Sequence, residues 1–102
     1  MSWNYRVIFH KAGQLKENPN LKWEEYLAIH EVYYDENGVP NSTTKDPITI
    51  SGEEGKDSLV SIKWILEGIT KALQKPILDY DNLNEIDKEK QNEFSKNIGE
   101  EN

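Results

Sequence analysis

Residues 24–38 read Glu24-Glu25-Tyr26-Leu27-Ala28-Ile29-His30-Glu31-Val32-Tyr33-Tyr34-Asp35-Glu36-Asn37-Gly38. Residues 24–34 are rich in β-branched and aromatic side chains and predict a strand. Asn37-Gly38 follows, a pair that tolerates positive φ and signals a hairpin. The return strand is expected from about Val39 to Thr44, broken at Asp46-Pro47 and resuming at Ile48-Thr49-Ile50. Pro40 and Pro47 lack the N–H that a ladder needs, so this strand belongs at an edge.

Upstream, Trp3, Tyr5, Val7 and Phe9 alternate with Asn4, Arg6, Ile8 and His10, which predicts a strand over residues 3–10. Residues 11–22 contain Gly13 and Pro19 and read as a loop. Downstream, Ser51-Gly52-Glu53-Glu54-Gly55 is a turn. Leu59, Ile62, Leu66, Ile69 and Leu73 then recur at intervals of 3, 4, 3 and 4, the stripe of an amphipathic helix over about 56–74. Pro76 stops it. Ile77-Leu78-Asp79-Tyr80 is extended, packing on the helix or pairing at a sheet edge. The expected fold class is α+β, a three-stranded antiparallel sheet (β-β-β-α) packed on one amphipathic helix.

The expected domain is residues 1–80, with an acidic tail at 81–102. The tail holds seven acids and three bases, and its only apolar residues are Leu83, Ile86, Phe94 and Ile98. Such a segment buries too little surface to order itself alone. Asn84, followed by Asp87, is a candidate start for a short solvated helix, with disorder beyond.

Composition narrows the function. The chain has 102 residues, a net charge of −7 and no cysteine. The absence of cysteine excludes a disulfide framework and thiolate metal sites. The acidic balance argues against binding double-stranded nucleic acid, which needs clustered Lys and Arg. The longest apolar run is Tyr26–Ile29, far short of the roughly 20 residues that cross a bilayer, so no membrane partner is expected. Met1-Ser2-Trp3-Asn4-Tyr5-Arg6 lacks the basic-then-apolar pattern of a secretory leader, and the expected location is cytoplasmic.

No motif announces chemistry. His10 and His30 are the only histidines and have no metal-ligand spacing. Ser51–Asp57 lacks phosphate-loop spacing, and the serines show no nucleophile elbow. No catalytic, cofactor or metal site is therefore assigned. Trp3, Trp23, Tyr33, Tyr34 and Trp64 would suit a stacking platform if cations stood beside them. Core packing is the expected role of Trp3 and Trp64.

The 24–34 strand is apolar on both faces, with Tyr26, Ala28, Val32 and Tyr34 on one and Leu27, Ile29 and Tyr33 on the other. A half-exposed strand alternates more cleanly. The second face therefore calls for a cover: the tail, a second copy of the chain or another protein. Tyr5, Val7, Phe9, Ala28 and Val32 are expected to face the helix. Arg6, Ile8, Leu27, Ile29, Glu31 and Tyr33 are expected on the open face as partner-binding residues, with Trp23 as an anchor. The leading expectation is a non-enzymatic protein-interaction module, its partner a protein or a second copy. One alternative is an acidic antitoxin-like or nucleic-acid-mimic regulator of a basic protein. Another is a small enzyme using His10 or His30 with a carboxylate.

Trp3-Asn4-Tyr5-Arg6-Val7, Ala28-Ile29-His30-Glu31-Val32-Tyr33-Tyr34-Asp35, Gly38-Val39-Pro40 and Pro76-Ile77-Leu78-Asp79-Tyr80 resemble a small bacterial family without assigned function. More loosely, the β-β-β-α order is similar to the small domain of HicB-type antitoxins. The chain departs from those in lacking their proline-glycine-rich third strand and a helix-turn-helix after residue 80.

Overall fold

The computed structural model describes residues 2–99, with side chains described through residue 95. Strand β1 (Ser2–His10) pairs antiparallel with β4 (Tyr26–Tyr34), which pairs antiparallel with β5 (Pro40–Thr43). On the far side of β1 lies β6 (Leu78–Asp79), parallel to it. The mixed sheet has the order β5-β4-β1-β6. The predicted three-stranded antiparallel sheet therefore gains a fourth strand, the segment expected to extend after Pro76. Within the 11–22 loop and just beyond it, β2 (Gly13–Gln14) and β3 (Lys22–Trp23) form a second small ladder.

The hairpin after β4 closes as its sequence suggests. Gly38 takes a positive φ of 78°, and its N–H donates to the Asp35 carbonyl at 3.0 Å. Asp35 Oδ1 accepts from the N–H groups of Asn37 and Val39. Beyond β5, the chain keeps bonding to β4, with Thr44 N–H donating to the Glu31 carbonyl and Ile48 N–H to that of Ile29. Helix α1 (Ser58–Ala72) occupies the predicted helical window.

The register of β1 against β4 decides the two faces. Tyr5 lies opposite Glu31, Val7 opposite Ile29 and Phe9 opposite Leu27. Directly opposed residues share a face. Leu27, Ile29, Glu31 and Tyr33 thus join Trp3, Tyr5, Val7 and Phe9 on the first face. Arg6 and Ile8 lie on the second, with His10, Tyr26, Ala28, His30, Val32 and Tyr34. The expected open face is corrected accordingly, since its members come from opposite sides of the sheet. Ala28 and Val32, expected beside Tyr5, Val7 and Phe9 under the helix, lie on the other side. The physical reason is the strand's period of two, by which a one-residue change of register moves every side chain across the sheet.

The chain itself builds a core on each face. On the first, Val7, Phe9 and Ile77 are buried with Leu27, Ile29, Ile86 and Phe94 against them. On the second, Ile8, Val32 and Leu78 are buried under Tyr34, Tyr80 and Leu83. Leu83 adopts φ 60°, unusual for a residue with a Cβ, and its N–H donates to the Asp79 carbonyl at 2.7 Å. This turn brings Leu83 back over the sheet.

Helix α2 (Lys88–Gly99) follows. Asp87, rather than Asn84, caps it, with Oδ1 accepting from Lys90 N–H at 2.8 Å. The segment expected as a solvated tail is docked as far as residue 94. Ile86 N–H donates to the Ile77 carbonyl. Gln91 Oε1 accepts from Ile77 N–H while its Nε2 donates to the Ile86 carbonyl, both at 3.0 Å. Phe94 meets Phe9 edge to face at 6.1 Å, and Lys90 bridges to Glu25 at 3.0 Å. Glu100, Glu101 and Asn102, which belong to the expected acidic tail, lie outside the described residues. The radius of gyration is 15.7 Å, against about 13 Å for a closely packed chain of this length.

Candidate functional site

Helix α1 packs on β1 through small residues. A Cβ on Gly68 would stand 2.6 Å from Tyr5 Cδ2, so the ring lies directly against the helix backbone. Ala72 is the one α1 residue buried outright. Ser61, Ile65, Gly68 and Ala72 recur at near-whole turns and form the packed edge. Leu59, Leu66 and Leu73 lie about a third of a turn away from that edge. They are 77%, 48% and 65% exposed. The sequence stripe predicted for α1 is therefore present, but its outer leucines face away from the sheet. This is the largest departure from the amphipathic reading, in which that stripe is the buried one.

The opposite edge of α1 carries Trp64, which leans over the start of β1. The Trp3 and Tyr5 rings meet at 5.3 Å, Trp3 and Trp64 at 6.0 Å, and Tyr5 and Trp64 at 6.2 Å, all steeply tilted. Trp3 is 42% and Trp64 56% exposed. Their expected role as core residues is corrected: they pack on one another at the surface.

On the second face of the sheet the two histidines meet. Their Nε2 atoms are 2.9 Å apart. His30 is fully buried, and its Nδ1 lies 3.0 Å from the Thr44 carbonyl oxygen. That oxygen can only accept, so Nδ1 carries the proton and His30 Nε2 accepts from His10 Nε2–H. Tyr26 and Tyr80 stack on His10, with centroids at 4.7 and 4.5 Å. Burial first, and then His30, hold the His10 imidazole below its usual 6.5, against the pull of Asp81 and Asp79. Burial likewise lowers His30, opposed by its bond to Thr44 and by Asp46. Among the described residues no carboxylate hydrogen-bonds to either ring, so the geometry is a histidine pair rather than the His–carboxylate pair considered from sequence.

The remaining predicted contact residues are scattered. Ile8 is fully buried. Arg6 is 8% exposed, with Nη1 donating to Tyr34 Oη at 2.9 Å and Nη2 to the Pro76 carbonyl at 2.7 Å. Leu27 and Ile29 are half-buried against the first core. Tyr33 Oη donates to Glu31 Oε1 at 3.0 Å, and that bond raises the phenol pKa. Trp23 is exposed and lies against Gly13, away from these residues. Alternation puts Trp3 and Tyr5 on one strand face, but it is the placement of α1 that brings Trp64 to them, while Trp23, Tyr33 and Tyr34 of the candidate stacking platform are not part of this cluster. The chain matches no protein-family model, no curated protein and no solved structure.

Proposed function

We propose that this protein is a protein-interaction module that associates with a second copy of itself through the outer edge of α1. The observation that carries this reading is the row Leu59, Leu66 and Leu73, exposed at seven-residue intervals along a helix that buries little else. Contiguous exposed apolar side chains mark contact surfaces. A seven-residue row with Ile62 and Ile69 beside it is the seam along which helices pair. It is also self-complementary. Two α1 helices running antiparallel about Leu66 would set Leu59 of one copy against Leu73 of the other, an isologous contact.

Light scattering across a concentration series tests it. The expected result is a dimer that dissociates on dilution, and a monomer at all concentrations for Leu66→Glu. A wild-type chain that remains monomeric at high concentration overturns the self-association. A stable complex of one chain with a different protein, lost in Leu66→Glu, would keep the surface and replace the occupant.

A further inference from the structure

The Trp3 end of β1 and the Trp64 edge of α1 enclose a cleft of about 330 Å³, within the size range of small-ligand sites. Its walls are Trp3, Tyr5 and Trp64, Gly68 keeps the helix low over the Tyr5 ring, and Lys71 and Lys75 stand at its rim. We propose that this cleft binds a small planar aromatic anion, for which adenosine monophosphate is the probe.

Two properties select that chemistry. Tilted indole and phenol rings offer faces on which a planar ring stacks, and such stacking is largely indifferent to the ring's identity. The rim is cationic although residues 1–80 carry more acids than bases. Neither Lys71 nor Lys75 has a carboxylate within 4.0 Å among the described residues. A cationic ligand would meet two ammonium groups, and a neutral one would leave them unmatched. An aromatic anion satisfies rings and rim together. The cleft lies on the edge of α1 opposite the leucine row, so it is independent of the proposed pairing.

The test uses the indole N–H signals of the full chain in a nitrogen–proton NMR titration. Added adenosine monophosphate should shift Trp3 and Trp64 saturably and leave Trp23, on the β2–β3 ladder, in place. Adenosine, lacking the charge, and ribose 5-phosphate, lacking the ring, should each bind about tenfold more weakly. A Lys71→Ala/Lys75→Ala variant changes only exposed side chains. It should retain the wild-type spectrum and lose about tenfold in affinity. Leu66→Glu should bind as the wild type does. No saturation at ligand concentrations on the order of millimolar overturns the proposal. So does adenosine or ribose 5-phosphate binding as tightly as the monophosphate, or Trp23 shifting together with the other two.

Discussion

His10 Nε2 and His30 Nε2 face each other at 2.9 Å, one donating and one accepting, beneath the rings of Tyr26 and Tyr80. A proton added to His30 goes on Nε2 and sets two N–H groups against each other, whereas one added to His10 goes on Nδ1, keeps the bond and leaves a charge in a partly buried ring. Both imidazoles are held below their ordinary 6.5 by burial. The unfolded chain therefore takes up protons at a higher pH than the folded one. Stability is unaffected by these groups well above 6.5 and falls as pH drops through 6.5 towards the folded values. Urea midpoints measured between about pH 7.5 and 5 should decline on the acid side. His10→Gln should flatten that decline; a wild-type midpoint that does not move over this range would contradict the arrangement.

Gly68 offers a test of the helix seat. In an isolated helix, Gly→Ala stabilises by about 1 kcal/mol. Here the added methyl would press on Tyr5 Cδ2 at 2.6 Å. Overpacking of this kind costs about 1–3 kcal/mol, so Gly68→Ala should lower stability in chemical denaturation. Combining it with Tyr5→Ala should remove the clash and reveal the helix benefit. Additive effects of the two substitutions would show that they do not meet.

Gln91 ties α2 to the strand beside β1, with one bond to Ile77 N–H and one to the Ile86 carbonyl. Gln91→Ala leaves both groups without that partner, a loss of about 1–3 kcal/mol. Amide hydrogen exchange should show Ile77 N–H losing protection in the variant while the β1–β4 ladder keeps its own. Equal loss throughout would mean that α2 unfolds only with the whole molecule.

Arg6 gives a counter-intuitive ordering. Its guanidinium is buried beside Tyr34 and Pro76, and Nε has no hydrogen-bond partner among the described residues. A buried cation without an anion is expensive to desolvate. Arg6→Met removes the charge and keeps most of the side-chain length. Arg6→Lys keeps the charge and gives up the planar fork that reaches both oxygens. Thermal unfolding should rank Arg6→Met above Arg6→Lys in stability; the reverse order would show that the charge itself contributes.

Local structure is legible in the sequence and long-range placement is not. Asp35–Gly38 closes where its residue types suggest, and α1 falls between the turn at Gly55 and the stop at Pro76. The register of β1 on β4 is not readable, because Leu27, Ile29, Ala28 and Val32 make both faces of β4 apolar and supply no mark of which is which. Periodicity finds the leucine stripe of α1 but cannot say that Gly68 and Ala72, its smallest residues, are the seat. The histidine pair rests on Arg6 lying opposite His30 and His10 opposite Tyr26, a register fact with no trace in spacing. Ile86 and Phe94 are too few to order a free segment, yet enough to dock one onto Phe9 and Ile77 when backbone bonds hold it there.

The parallel pairing of Ile8 with Leu78 has a consequence for synthesis. The strands β1, β4 and β5 are complete once residue 43 has left the ribosome, with Ile8 and Val32 still uncovered. Leu78, which extends the sheet beside Ile8, and Leu83, which packs over both, arrive roughly 35–40 residues later, which at about 5–20 residues per second is a delay of seconds. During that interval the nascent chain carries a wet apolar sheet that only a distant segment of the same chain can close. A chain cut before Leu78 would keep Ile8 and Val32 without the partners that this later segment brings to them.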